Sequence, residues 1–203
     1  MALHPIPLTL LAAALLFGAV SAAPAADTYP QRPVRLIIPY PPGGAGDIVG
    51  RMLATSLSAG LGQQMVNDNR GGGGQVIASQ IAAGAPPDGY TLFLASATHS
   101  INPALRNNLP YDTLKDFVDI GPLAQQPNVM VTHPSTSYNT VQDVIKTAMA
   151  KPGTLNFASA GVGSGTHLNL EKLKLMAKIN MNHVPYKGSA EALADVLGNR
   201  VDF

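Results

Sequence analysis

The sequence predicts an α/β fold in two lobes, and three observations support that prediction. Two segments, residues 34–61 and 155–177, follow the order apolar strand, glycine-rich loop, helix. A stretch rich in proline, aspartate and asparagine, residues 107–119, separates them and is typical of a connection between lobes. Hydrophobic residues make up 46% of the 203-residue chain, which is enough for a sizeable buried core.

The first unit opens with an apolar run at residues 34–38, which predicts a buried strand. Prolines end this strand because proline has no N–H to donate to a neighbour, and glycines within residues 43–46 allow a tight loop. A helix follows, and its predicted apolar face consists of Ile48, Val49, Met52, Leu53, Leu57 and Leu61. Free N–H groups at the helix start favour a small anion, although a simple tight connection explains the same pattern.

The glycine loop lacks the signatures of nucleotide-binding proteins. Val49 stands where the dinucleotide fingerprint G-x-G-x-x-G needs its third glycine. No Lys-Ser or Lys-Thr pair follows the glycines, so the nucleotide-binding P-loop is excluded as well. Asp47 is the one acidic residue for which we expect a functional role, and a helix-capping role explains it equally well.

The remaining chain alternates strands and helices, as an α/β fold requires. Strands are predicted over residues 64–66, 90–95, 129–132, 155–158 and 182–186, with the beginning of another at 201–203. Helices are predicted over residues 75–83, 141–150, 167–177 and 190–197. The glycines at 71–74 form either a flexible loop or a second close approach of the backbone to the cleft, and both interpretations stay open.

Two groups of hydroxyl side chains are predicted to lie at the cleft. Ser96 and Thr98 come directly after the strand at 90–95, and parallel sheets bind ligands at the carboxyl ends of their strands. Residues 159–166, between the strand and the helix of the second unit, combine glycine with serine and threonine. Two lobes with such loops facing each other would hold an anion between them and would need no catalyst.

Residues 1–26 are predicted to be a secretory signal peptide. The apolar run at 8–20 is too short for a comfortable membrane span, and the small residues at 20–26 satisfy the small-x-small cleavage rule. We therefore expect export and cleavage between Ala22 and Ala26. An uncleaved membrane anchor is the alternative, because Lys and Arg are absent from the first residues.

Composition excludes several classes of function. The net charge is +1 and the basic residues are scattered, so we expect no nucleic-acid partner. The absence of cysteine excludes disulfides, a cysteine nucleophile and thiolate metal sites. The hydrolase motif G-x-S-x-G is missing, and His167 with Glu171 would supply only two metal ligands. The sequence therefore predicts neither an enzyme nor a metal site.

Six segments, in order along the chain, carry a specific combination of motifs. They are YPQRPVRLIIPYPPGGAGD (29–47), LGQQMVNDNRGGGG (61–74), PPDGYTL (86–92), LPYDTLKDF (109–117), ASAGVGSGTHL (158–168) and HVPYKGSAEALADVLGNRVD (183–202). Together they resemble the Bug-type periplasmic receptors of tripartite tricarboxylate transporters. The resemblance implies a two-lobed periplasmic binding protein fold of type II, a small carboxylate ligand and no cofactor. It also implies a periplasmic, monomeric receptor that delivers its ligand to membrane transporter subunits.

The resemblance further implies which residues contact the ligand. Those of the first lobe are Tyr40, Pro41, Gly44, Asp47, Ser96 and Thr98. Those of the second lobe are Ser159, Gly163, Ser164, Thr166 and His167, with Tyr186 and Lys187 at the rim. Such receptors hold carboxylates largely through backbone amides, hydroxyls and ordered waters, which suits loops that offer few basic residues.

The length of the chain also bears on the resemblance. In the family the chain leaves the second lobe after the Val-Asp strand and returns to complete the first lobe, and that return is missing here. We therefore expect a first lobe over residues 27–120 and an incomplete second lobe over 121–203, as in a fragment or a truncated copy. Two other functions stay open: a receptor that reports its ligand to a signalling system, and a copy without binding activity.

Overall fold

The computed structural model describes residues 29–203 and arranges them around two separate parallel sheets. Residues 32–203 form one compact unit, which holds every contact described below. The predicted signal peptide, residues 1–26, lies outside the described residues. The predicted lobe boundary at residue 120 stays a prediction.

The first sheet consists of three parallel strands in the order β2-β1-β3. The strands are β1 (Val34–Ile38), β2 (Met65–Asn69) and β3 (Thr91–Phe93), and in their register Val34 lies opposite Met65. Side chains alternate between the two faces of a strand, yet every residue of β1 except Arg35 is at most 1% exposed. Both faces of the central strand are therefore covered, which explains its unbroken apolar sequence.

Three helices belong to the first sheet. They are α1 (Ala45–Leu61), α2 (Val76–Ala83), which follows a single 3₁₀ turn at Gly73–Gln75, and α3 (Ala97–Leu105). The sequence patterns do not predict α3. It begins directly after Ser96, whose hydroxyl accepts the N–H of Thr98 at 3.3 Å, and it accommodates Pro103 within its length.

Helix α1 packs on β1 through small residues together with part of the predicted apolar face, since Leu53 and Leu57 pack against the core around β1. Gly50 and Ala54 are buried, whereas Ile48 and Met52 are 55% and 67% exposed. A Cβ added to Gly50 would lie 2.6 Å from Cδ1 of Ile38, so helix and strand are in direct contact there. The prediction is wrong for Ile48 and Met52, because this close approach selects glycine and alanine, which hydropathy patterns rank low.

The second sheet consists of two parallel strands, with a core around Phe157. The strands are β4 (Asn156–Ser159) and β5 (Asn182–Pro185), and the helices are α4 (Val141–Ala150), α5 (Gly165–Ala177) and α6 (Ser189–Leu197). Helix α4 begins at a capping box in which Thr140 and Asp143 exchange hydrogen bonds. The backbone N–H of Asp202 donates to the Asn156 carbonyl at 3.1 Å, where the sequence predicts the beginning of another strand.

The stretch between the sheets, residues 106–140, contains no helix or strand. The prediction of a strand at 129–132 is wrong: Val129 is 80% exposed, and no described segment pairs with it. A strand needs a neighbour for its backbone N–H and C=O groups, and local sequence alone does not supply one. Within residues 29–203, no helix combines the length and the apolar character needed to cross a membrane.

Candidate functional site

A cavity of about 430 Å³ lies between the loops of the two sheets. From the first sheet it is lined by the end of β1, by residues 72–75 and by the start of α3. From the second sheet it is lined by the second loop (residues 160–164, of which Gly163 is not part of the lining), by the end of β5 and by the residues that open α6. The carboxyl ends of parallel strands meet here, which is where α/β proteins bind small ligands.

The cavity brings together part of the predicted set of ligand contacts. Tyr40, Thr98, Ser164 and Tyr186 line it, and so does Lys187 from the predicted rim. The other predicted residues lie outside its lining: Pro41, Gly44, Asp47, Ser96, Ser159, Gly163, Thr166 and His167. For all of them a contact with ligand stays a prediction, and the following paragraphs describe what their side chains do in the fold.

The first loop, residues 40–47, is closed by the carboxylate of Asp47. This side chain accepts hydrogen bonds from the Gly43 N–H at 3.0 Å, from Arg51 Nε at 2.9 Å and from Asn69 Nδ2 at 2.9 Å. Burial alone would raise the pKa of Asp47, but these hydrogen bonds outweigh it and hold the pKa below its usual value. In the folded protein Asp47 is therefore ionised, and its carboxylate fixes the loop against the start of α1.

The glycine run, Gly72 to Gly74, lines the cavity and explains the repeated glycine in the sequence. All three glycines have positive φ, at 101°, 60° and 62°. A Cβ at Gly74 would lie 2.8 Å from Nη2 of Arg106 and 3.3 Å from the Val162 carbonyl oxygen. Of the two open interpretations, the geometry favours the close approach of backbone to the cleft.

Polar side chains connect the glycine run to the end of β1. The Tyr40 hydroxyl lies 3.1 Å from Ser96 Oγ, which donates to Gln75 Oε1 at 2.9 Å. Gln75 is 4% exposed, and its amide oxygen is the acceptor at the end of this chain of hydrogen bonds. Thr98 is 2% exposed and lines the cavity, and its hydroxyl has no hydrogen-bond partner among the described residues.

The second loop is fixed by hydroxyl and imidazole groups instead of a carboxylate. Thr166 Oγ1 accepts the Ala160 N–H at 3.0 Å, Ser159 Oγ accepts the Gly161 N–H at 3.1 Å, and His167 Nδ1 accepts the Gly163 N–H at 3.2 Å. These three bonds take up N–H groups on both sides of Val162. The Val162 N–H itself has no acceptor among the described residues, and Val162 lines the cavity.

Two stacked histidines support the second loop from behind. The rings of His167 and His183 lie 4.0 Å apart between centroids, and His183 stacks in turn on Phe157 at 4.9 Å. His183 Nε2 lies 2.6 Å from the Ser159 hydroxyl. Burial lowers the pKa of His183 to about 4, with the neighbouring His167 and Lys174 acting in the same direction against Glu171. Burial also lowers the pKa of His167, so both rings are neutral at pH 7.

Tyr186 lines the cavity with its hydroxyl already engaged. The hydroxyl donates to Asp195 Oδ2 at 2.5 Å, and Arg200 Nη2 lies 2.5 Å from the other oxygen of that carboxylate. Burial and then this hydrogen bond raise the pKa of Tyr186 to about 12. The phenol therefore stays protonated, and its ring, held by Asp195, forms a fixed wall of the cavity.

The cavity lining carries more positive than negative charge. Arg106 lines it from the first sheet, while Lys187 and Glu191 line it from the second. The Glu191 carboxylate accepts the backbone N–H of Lys187 at 3.2 Å, which places it at the start of α6. Sequence reasoning missed Arg106, because it lies within no motif that marks a ligand site, and it left the role of the glycine run open between two interpretations.

A serine and histidine pair occurs elsewhere but presents no nucleophile to the cavity. Ser79 Oγ lies 3.0 Å from His99 Nδ1, and the two residues are 0% and 6% exposed. The His99 ring is stacked against Tyr111 and meets Phe117 edge-on. No cluster of three or more metal-ligating side chains occurs within residues 29–203. The geometry of this pair is that of a packed core.

Comparison with known proteins places these observations in a family. The family model described as tripartite tricarboxylate transporter family receptor matches residues 49–203. Among curated proteins, Protein BugT of Bordetella pertussis is 39% identical over 184 residues, which are 90% of this chain and 56% of BugT. The chain therefore spans little more than half the length of this relative.

Solved structures agree with that assignment. A structure described as a periplasmic transporter is 38% identical with a TM-score of 0.82, and the match covers 86% of this chain and 59% of the chain in that structure. Rpa4515 of R. palustris with adipate is 34% identical with a TM-score of 0.79, covering 86% and 58%. MatC (Rpa3494) of Rhodopseudomonas palustris with bound malate is 28% identical with a TM-score of 0.79, covering 86% and 60%.

These comparisons confirm the predicted fold class and the predicted resemblance. The two parallel sheets match the periplasmic binding protein fold, over about three fifths of the length of the solved chains. The match of the family model covers well over half of the chain. The protein belongs to the tripartite tricarboxylate transporter receptor family.

Proposed function

We propose that the protein is a periplasmic solute receptor which binds a small carboxylate in the cavity between its two sheets. The bound ligand is then delivered to the membrane subunits of a tripartite tricarboxylate transporter. The observation that carries this proposal is the cavity itself, which backbone loops and helix starts from both sheets enclose. Helix starts and positive φ glycine loops favour anions, because their N–H groups have no helical acceptor.

The composition of the lining supports a carboxylate over an apolar solute. Thr98 offers a hydroxyl and Val162 an N–H, and neither has a partner among the described residues. Arg106 and Lys187 add positive charge. Donors of this kind match carboxylate oxygens, and related structures described with adipate and malate carry the same class of ligand.

The leader and the family support the location and the partner. Residues 1–26 have the pattern of a cleavable signal peptide, and the family is described as a transporter receptor. A receptor that closes on a solute needs no cofactor, and the lining residues have no arrangement that would activate a nucleophile.

The proposal is tested by calorimetry and thermal melting of the full-length protein with a panel of di- and tricarboxylates. We expect at least one to bind and raise the melting temperature, because a ligand that binds only the folded state stabilises it. Thr98→Val keeps the shape of the side chain and removes the hydroxyl, so it should weaken that binding about 5–10-fold. Thr55→Val, on the exposed face of α1, is the matched control and should leave binding unchanged. A panel without heat or melting shift would contradict the proposal.

A further inference from the structure

The arginines of the described residues differ in one respect that points to the ligand. Five of the six are paired with a carboxylate: Arg32 with Asp88, Arg35 and Arg70 with Asp68, Arg51 with Asp47, and Arg200 with Asp195. The sixth, Arg106, has no carboxylate within 4.0 Å among residues 29–203. It is also the one arginine of the described residues that lines the cavity.

The backbone holds Arg106 in place without neutralising it. Arg106 directly follows α3, and its own N–H donates to the Asn102 carbonyl at 3.0 Å. Its Nη2 donates to the Gly73 carbonyl oxygen at 3.2 Å, within the glycine run. A guanidinium carries five N–H donors, so most of them are available to a further partner.

The loop from the second sheet supplies a different kind of contact. The second loop offers the Val162 N–H, and the start of α5 at Gly165 lies directly after the lining residue Ser164. A carboxylate bound on these donors would be held by the second sheet, whereas Arg106 belongs to the first sheet. The two anion-binding elements therefore line one cavity, and each comes from a different sheet.

We propose that Arg106 binds the second carboxylate of a dicarboxylate whose first carboxylate lies against the second loop. This inference rests on the proposed function and names the class of solute. A guanidinium binds a carboxylate through two parallel N–H···O bonds, so it favours a fixed, charged group over an ester or a methyl end. The receptor thus prefers dianions to monoanions of the same length.

The test compares each dicarboxylate with its own monomethyl ester, from succinate to adipate, on the wild-type protein and on Arg106→Gln. We expect the wild type to bind the best dicarboxylate about 10–100-fold more tightly than its monoester. In Arg106→Gln the ratio of dicarboxylate affinity to monoester affinity should fall to about 1–3. The loss falls mainly on the dicarboxylate, because the monoester has no second carboxylate to bind the guanidinium. Arg106→Lys keeps the charge without the fork and should give an intermediate ratio.

Arg32→Gln is the matched control, because Arg32 lies outside the cavity lining and is paired with Asp88 at 2.9 Å. It should keep the wild-type ratio. If Arg106→Gln weakens dicarboxylate and monoester equally, Arg106 only holds the glycine run, and the inference is overturned while the proposed function stands. A wild type that binds the monoesters as well as the diacids overturns it too. A wild type that binds none of these carboxylates overturns the proposed function together with the inference.

Discussion

The two loops that face the cavity are fixed by opposite chemistry. The first is closed by one buried charge, Asp47, which receives three donors. The second is held by neutral groups: the hydroxyls of Ser159 and Thr166 and the imidazole of His167. The first loop thus depends on an ionised side chain, and the second on a side chain that stays neutral.

Because of this difference, two similar glycine loops should respond differently to a change in pH. The pKa of Asp47 is lowered, so the first loop keeps its charge until the solution is strongly acidic. The pKa values of His167 and His183 are also lowered, so the second loop loses its acceptor when an imidazole is forced to take a proton. Acid should therefore disturb the second loop before the first.

The largest expected effect comes from Asp47→Ala, which removes the acceptor of the first loop. Gly43, Asn69 and Arg51 would each lose a partner in a site that is 3% exposed at Asp47. We expect the free energy of unfolding to fall by about 3 kcal/mol, measured by urea denaturation.

Arg51→Gln separates charge from hydrogen bonding at the same site. Its side chain is 55% exposed, so the ion pair with Asp47 is largely screened, and its loss should lower the free energy of unfolding much less than Asp47→Ala does. Equal losses for Asp47→Ala and Arg51→Gln would contradict the account of the first loop, because the ion pair alone would then explain it.

The pH dependence of the second loop is the next effect in size. The folded pKa of His183 is about 4, below its ordinary value of 6.5, so the unfolded chain takes up the proton first. Stability is complete above pH 6.5 and is lost as pH falls towards 4, by on the order of 2 kcal/mol because partial burial leaves some screening. His167, Glu171 and Lys174 act on the same ring and set where in this window the loss occurs.

His183→Gln should flatten the stability profile between pH 6.5 and 4, measured by thermal melting across that range. His133→Gln is the control, since His133 bonds its neighbour Ser135 far from β5 in sequence and has no stacking partner among the described residues. A wild-type profile that is already flat over this window would contradict the neutral histidine pair.

The smallest expected effects come from the helix starts of the two loops. Ser164 caps α5 by accepting the His167 N–H at 3.2 Å, so Ser164→Ala should cost about 1 kcal/mol. Gly44 begins α1 without a side-chain cap, and its φ of −83° suits serine, since a Cβ there would meet only the Pro41 carbonyl oxygen, at an unstrained 3.9 Å. Gly44→Ser should therefore stabilise by a few tenths of a kcal/mol in the same urea assay. If both substitutions change the free energy of unfolding in the same direction, side-chain capping does not explain the difference between the two helix starts.

Local patterns were enough to predict the elements whose signals lie within a few residues. The helix at 141–150 is confirmed to the residue because its cap, its periodicity and the following Pro152-Gly153 agree. The parallel pairing of the two sheets was also predictable, since strands alternate with helices. The strand at 129–132 was not, because a strand depends on a partner that the local sequence does not name.

The candidate site was predictable in kind but only partly in detail. Tyr40, Thr98, Ser164 and Tyr186 line the cavity from positions next to strand ends and helix starts, which motifs mark well. Arg106 could not be found this way, because its place in the lining follows from where α3 ends in space. Arg106 stands out only in the structure, where the other five arginines of the described residues are paired with carboxylates.

The proposal that both sheets contact one and the same bound solute is tested most directly by backbone amide chemical shifts. A uniformly ¹⁵N-labelled protein would be titrated with the best dicarboxylate of the panel. We expect saturable shifts at residues 72–74 and at residues 160–164 with a single affinity, and none in the His133 turn. Shifts confined to one sheet, or two sets with different affinities, would contradict a ligand held between the two loops.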